Sequence, residues 1–243
     1  MPGGTKADER STRVREVRTR LAQEGPGWTR GDQLDFEQVT LPERECDLLR
    51  DLLVAEGACT VIEVGLAYGS SALAIGEALV TVGSPGARHV VIDPFQQSGW
   101  CNTGWNLMVA AGLDSVASLM PAPSSIALPG LVTDGLIADA AFVDGSHRFH
   151  EVFTDLYFLR KIVRPGGLVV VDDDWTPSVR TAVRYYERNL GWSALPHAFA
   201  GGTLRAIADD PAAESVPRCR ALRLPDVLAE PAFEDFRPFW PGD

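Results

Sequence analysis

The chain has 243 residues, 26.3 kDa, 45% hydrophobic and 23% charged side chains, a composition that suits a soluble globular protein with a sizeable core. Its 22 basic and 33 acidic residues give a formal charge of -11, which repels polyphosphates and argues against a nucleic-acid or anionic-membrane surface. No apolar run approaches the roughly 18 residues of a membrane span, and the first twenty residues lack the apolar stretch of a signal peptide, so the expected location is cytoplasmic and the expected partner a small molecule.

Residues 1 to about 30 are rich in Arg, Gly and polar side chains and show little apolar periodicity, which predicts a mobile or loosely docked arm. The spacing over Pro42–Gly57 places Cys46, Leu49, Leu52 and Leu53 on one helical face, with Gly57 as the stop. Short β-branched runs then alternate with helical patterns: TVIEV (60–64), HVVID (89–93), VASLM (116–120), AAFV (140–143) and LVVV (168–171). Helices are predicted over Ser70–Val80, Phe149–Val163 and Val179–Leu190, the second stopped by Arg164-Pro165-Gly166-Gly167. Segments 192–199 and 203–208 flank Gly201-Gly202 and read as a hairpin.

The alternation predicts an α/β fold: a Rossmann-like, seven-stranded, mostly parallel sheet with helices on both faces, closed by a C-terminal antiparallel hairpin. The division is an arm over 1–40, a ligand-binding domain over 41–208 and a Pro-rich acidic tail over 209–243. Cys46, Cys59, Cys101 and Cys219 form no CxxC pair, so neither a zinc site nor a disulfide framework is expected.

The first strand leads into Glu63-Val64-Gly65-Leu66-Ala67-Tyr68-Gly69-Ser70-Ser71 at a helix start. Glycine there lets the backbone approach a ligand, and unpaired N–H groups at the helix start favour an anion. Asp93 ends the next strand, where a carboxylate accepts ribose hydroxyls. Such a turn is also found where nothing binds, and the pattern E-x-G-x-x-x-G lacks the third glycine of dinucleotide enzymes.

This turn, with the acidic residue ending the second strand, resembles class I S-adenosylmethionine-dependent methyltransferases. The resemblance implies that Gly65, Gly69 and Ser71 hold the methionine end of the cofactor with Glu63 in support, that Asp93 takes the ribose, and that Ser124 and Ser125 contact the adenine.

The fourth strand ends in Asp144-Gly145-Ser146-His147 and the fifth in Asp172-Asp173-Asp174-Trp175. Parallel neighbours would bring these carboxylates together, where they repel one another unless a divalent cation such as Mg²⁺, Mn²⁺ or Ca²⁺ intervenes. A solvated acidic loop is the alternative. FVDGSHRFHEV and RPGGLVVVDD narrow the resemblance to cation-dependent O-methyltransferases, the catechol and caffeoyl-CoA type and the macrocin- and cephalosporin-type natural-product relatives, over roughly residues 40–190.

By that resemblance the metal ligands are Asp144, Asp172 and Asp173, with Asp173 and Asp174 as the other register, and His147 is the general base, with a helix-capping role as its alternative. The implied reaction is metal-assisted transfer of a methyl group to a hydroxyl of a secondary metabolite, a sugar, diol or catechol-like compound; a homodimer, and closure of the N-terminal arm around Trp28 to Phe36 over the site as a lid, are expected on the same ground. Two other readings stay open: a metal-independent N- or O-methyltransferase whose carboxylates bind a substrate amine, and a non-catalytic nucleotide-binding protein.

Overall fold

The computed structural model describes residues 6–27, 34–206 and 215–239 and divides into two compact units, residues 1–123 and 124–243. The first unit runs α1 (Lys6–Glu24), α2 (Leu34–Val39), α3 (Glu43–Ala55), β1 (Thr60–Val64), α4 (Ser70–Val82), β2 (Arg88–Ile92), α5 (Thr103–Ala110) and β3 (Ala117–Met120). The second runs α6 (Ser124–Thr133), β4 (Ala138–Val143), α7 (Phe149–Ile162), β5 (Val163–Val171), α8 (Pro177–Leu190), β6 (Ser193–Ala194), β7 (Leu204–Arg205), β8 (Val216–Pro217) and β9 (Arg220–Arg223).

The main sheet has seven strands in the order β3-β2-β1-β4-β5-β9-β6, and β7 and β8 form a separate two-stranded antiparallel pair. This is the Rossmann-like arrangement that the alternation predicts. In the first unit β1, β2 and β3 are parallel, with Val64 opposite Ile92 and Ile92 opposite Met120. In the second, β4 and β5 are parallel and β9 runs antiparallel to both β5 and β6. The strands read as continuous apolar runs because both faces are covered, and Val61, Ile62, Val91, Phe142, Val169 and Val170 are all buried.

Three expectations change. Residues 6–24 are not a loose arm: Val14, Val17 and Leu21 recur at helical spacing and pack with Leu66, Leu73 and Val80. The same helix is clamped by charge, since Arg15 and Arg18 both reach the fully buried Glu77 of α4, and Arg18 also donates to Asp47 at 2.9 Å. Trp28, within the expected lid, lies outside the described residues.

The expected C-terminal antiparallel hairpin is present as the β7–β8 pair, but the two segments flanking Gly201-Gly202 do not pair with each other. Leu204–Arg205 pairs with Val216–Pro217, and Ser193–Ala194 pairs with the Arg220–Arg223 strand, which comes from within residues 209–243. Turns over residues 197–202 separate the two segments, so the Gly201-Gly202 corner never brings them into register. Finally, β5 begins at Val163 and carries the Pro-Gly-Gly step inside it, the pairing shifting from Ala138–Val163 to Ala140–Leu168. A side chain at Gly167 would lie 2.8 Å from the Asp139 carbonyl oxygen, so the close approach of the two strands requires glycine.

Candidate functional site

In the first unit the candidate residues gather on the turn after β1. Gly65 continues the ladder, its N–H donating to Ile92 O at 2.9 Å, then leaves the strand at φ 95°. Ala67 (φ 44°) and Gly69 (φ 84°) also lie in the left-handed region, so three of five consecutive residues fold the chain back onto the start of α4. Gly69 is the N-cap of α4, and a Cβ there would stand 3.2 Å from the backbone of Gly104 on α5. Both glycines supply the positive φ that the turn needs, and Gly69 also lets the start of α5 approach closely.

The carboxylate of Asp93, at the end of β2, holds this turn closed. Its Oδ2 accepts from Leu66 N at 3.1 Å, Ala67 N at 3.0 Å and Gln96 Nε2 at 2.9 Å, and its Oδ1 accepts from Phe95 N at 2.7 Å. Gln96 also donates to Ala67 O at 2.8 Å. A side chain read as a ribose acceptor is therefore engaged in scaffolding the glycine turn. Glu63 and Ser71 are likewise turned inward: Ser71 Oγ donates to Glu63 Oε1 at 2.6 Å, and His89 Nε2 lies 2.9 Å from Glu63 Oε2.

Gln96 and His89 touch these residues in a way that the motif alone does not reveal. A cavity of about 320 Å³, lined among others by Leu21, Phe36, Leu41, Cys46 and Ser70, opens beside this helix start. Ser124 and Ser125 stand in the first turn of α6 rather than in a loop, and Ser124 hydrogen-bonds the buried Asp155, whose carboxyl is pushed up to about 6 by burial.

The second unit carries the carboxylates. Asp144 follows β4, His147 lies three residues on, and Asp172, Asp173 and Asp174 follow β5. Asp144, His147 and Asp173 bring one ligand-type atom each to within 4.8 Å of one another. His147 Nε2 is 2.6 Å from Asp173 Oδ2, while the Trp175 indole N–H donates to Asp173 Oδ1 at 2.7 Å. Asp173 adopts φ 55°, in the left-handed region that aspartate enters more readily than most side chains, and its carbonyl accepts from Thr176 N at 2.9 Å. Ser178 Oγ donates to His147 O at 2.5 Å and fixes the imidazole's loop.

The Asp173 contact holds the His147 imidazole above its ordinary 6.5. Burial would raise the Asp173 carboxyl, but the His147 hydrogen bond, the Arg218 charge and the Trp175 indole outweigh it and hold it low.

The other two aspartates are spoken for. Asp172 accepts from Arg218 Nε at 3.0 Å and Nη2 at 2.7 Å, and from Cys219 Sγ at 3.1 Å. Asp174 is met by Arg180 at 2.8 Å and Arg220 at 3.3 Å. Burial alone would lower the Arg218 pKa; its hydrogen bonds to Asp172 raise it above the ordinary guanidinium value.

The expected Mg²⁺ set of Asp144, Asp172 and Asp173 therefore does not fit, because both Asp172 oxygens serve Arg218. The like-charge conflict that called for a metal is resolved by arginines at Asp172 and Asp174. Arg218 stands 46 residues after Asp172, a separation across which sequence spacing carries no signal.

With this geometry in hand, residues 62–173 match the family model described as a methyltransferase domain. The fold is shared with solved methyltransferases, as the following structures show. Among solved structures, the O-methyltransferase TomG from Streptomyces achromogenes, involved in tomaymycin synthesis and seen in complex with SAM, is 18% identical. That alignment covers 92% of this chain and 91% of that one at a TM-score of 0.61. The O-methyltransferase from Bacillus cereus in complex with SAH is 14% identical over 89% of this chain and 91% of that one, TM-score 0.60. Cofactor-bound Rv0187 from MTB is 15% identical over 93% and 92%, TM-score 0.59. No curated protein sequence matches the chain.

Proposed function

We propose that the protein transfers a methyl group from S-adenosylmethionine to a hydroxyl oxygen of a small molecule, with His147 as proton acceptor. The observation that carries the reading is the His147–Asp173 pair at 2.6 Å in a methyltransferase domain. Support comes also from the two similar structures described as O-methyltransferases.

The cofactor supplies an activated methyl on a sulfonium sulfur. The turn Gly65–Gly69 and the start of α4 would hold its methionine end, with Asp93, Gln96, Glu63 and Ser71 keeping the turn in shape. Because Nε2–H of His147 faces Asp173, Nδ1 is the basic nitrogen, and it takes the acceptor's proton as the oxygen lone pair forms the new O–C bond and the C–S pair returns to sulfur. Asp173 fixes the tautomer and stabilises the imidazolium that results. Trp175, tied to Asp173, limits how far that carboxylate can swing.

The convergence of Asp144, His147 and Asp173 favours a second reading, in which a divalent cation held by these three assists the reaction. It would lower the pKa of the acceptor hydroxyl.

The test is incubation with methyl-labelled S-adenosylmethionine and a panel of vicinal diols, sugars, phenols and amines. Label on oxygen, lost in His147→Ala, supports the reading. Label on nitrogen with full activity in His147→Ala rejects it.

A further inference from the structure

We propose that Arg218 is the counter-cation built into this site, so that methyl transfer proceeds without a divalent metal. The inference rests on the methyl-transfer reading and goes beyond it by assigning a positioning role to the C-terminal segment.

Arg218 is only 4% exposed and makes a bidentate pair with Asp172, itself 2% exposed. Its Nε also lies 3.6 Å from Asp173 Oδ1, so one guanidinium faces two of the carboxylates that a divalent cation was expected to bridge. Its charge reaches Asp144 as well. Arg218 precedes β9, the strand hydrogen-bonded to β5, and its carbonyl accepts from Asp174 N at 3.0 Å, so the backbone presents the guanidinium to the acidic loop.

A divalent cation on Asp172 would have to break two charge-assisted hydrogen bonds inside a buried pair and leave the guanidinium without its partner, which is costly in a low-dielectric setting. On Asp144 and Asp173 it would meet the permanent charge of Arg218 a few ångströms away. It would also take from Asp173 the oxygen that now holds His147. Asp174 offers no alternative, because Arg180 and Arg220 occupy it. Arg218 thus does for Asp172 and Asp173 what a cation would do: it cancels their mutual repulsion and keeps Asp173 anionic beneath His147.

The experiment is calorimetric titration of MgCl₂ and of MnCl₂ into protein already saturated with S-adenosylhomocysteine, on wild type, Arg218→Met and Arg218→Lys. Wild type and Arg218→Lys should show no binding in the micromolar range, and Arg218→Met should gain affinity by about tenfold or more as the repelling charge is removed. Micromolar binding to wild type that disappears in Asp173→Asn would overturn the inference while leaving the methyl-transfer reading intact. Failure of S-adenosylhomocysteine to bind would overturn both. Should Arg218→Met melt below the working temperature, the wild-type titration decides alone, since micromolar binding there overturns the inference.

Discussion

Replacing Asp93 by Asn separates a scaffold from a ligand contact. Four donors meet this carboxylate: three on Oδ2 from Leu66 N, Ala67 N and Gln96 Nε2, and one on Oδ1 from Phe95 N. An asparagine can turn its carbonyl oxygen toward the three, but its amide NH₂ then faces the Phe95 N–H. One hydrogen bond is lost, two donors confront each other, and the remaining three lose their charge assistance.

At about 1.5–3 kcal/mol for a hydrogen bond to a charged group, and with partial relaxation, the net loss is about 2–4 kcal/mol. For a chain of this size that corresponds to a melting temperature lowered by roughly 5–15 °C. The assay is thermal unfolding by circular dichroism beside calorimetric titration with S-adenosylhomocysteine. Both stability and affinity should fall, since the turn that loses its anchor is the turn proposed to hold the cofactor. An unchanged melting temperature with a tenfold or greater loss of affinity would refute the scaffold reasoning and restore Asp93 to direct ribose contact.

Three further outcomes are expected. Because Asp173 raises the His147 pKa above 6.5, the base form accumulates only at higher pH; kcat/KM should rise through a limb above the ordinary imidazole range, and Asp173→Asn should move that limb downward in a pH-rate profile. In Gly104→Ala a Cβ would meet Ala67 O at 2.4 Å, an overlap that should cost about 1–3 kcal/mol in denaturant titration and weaken S-adenosylhomocysteine binding.

Asp155, pushed up from 3.8 to about 6 by burial, makes the folded state bind a proton more tightly than the unfolded chain. The stability it contributes is present below pH 4 and lost as pH rises through 6, by up to about 3 kcal/mol. Asp155→Asn should therefore melt higher than wild type at pH 8 and show little difference at pH 4; an equal difference at both would contradict the burial argument.

Much of this architecture was legible because it depends on local pattern. Strands β1, β2 and β5 are rich in β-branched residues with glycine or proline close by, and α3, α4, α7 and α8 carry clear helical periodicity. The glycine turn was legible because its backbone needs positive φ at Gly65 and Gly69, which the sequence must supply in residue type.

What escaped has physical causes. The stripe of Val14, Val17 and Leu21 is only three residues wide in a helix full of arginine, and α6 contains Pro129. The four-residue β9 owes its place to pairing with β5 and β6 rather than to its own propensity. In the acidic loop, residue type announces negative charge but not its partner: Arg180 is six residues from Asp174, whereas Arg218 reaches Asp172 only because β9 folds back beside β5. His89 beside Glu63 is likewise a cross-strand meeting that neither motif contains.

The most direct test of the account is to follow the label from ¹³C-methyl S-adenosylmethionine by NMR in the presence of a hydroxyl acceptor, with wild type and His147→Ala side by side. The account predicts an O-methyl signal that forms with wild type and falls by about 10²–10⁴-fold in the variant. An O-methyl signal of equal rate from both proteins would contradict it.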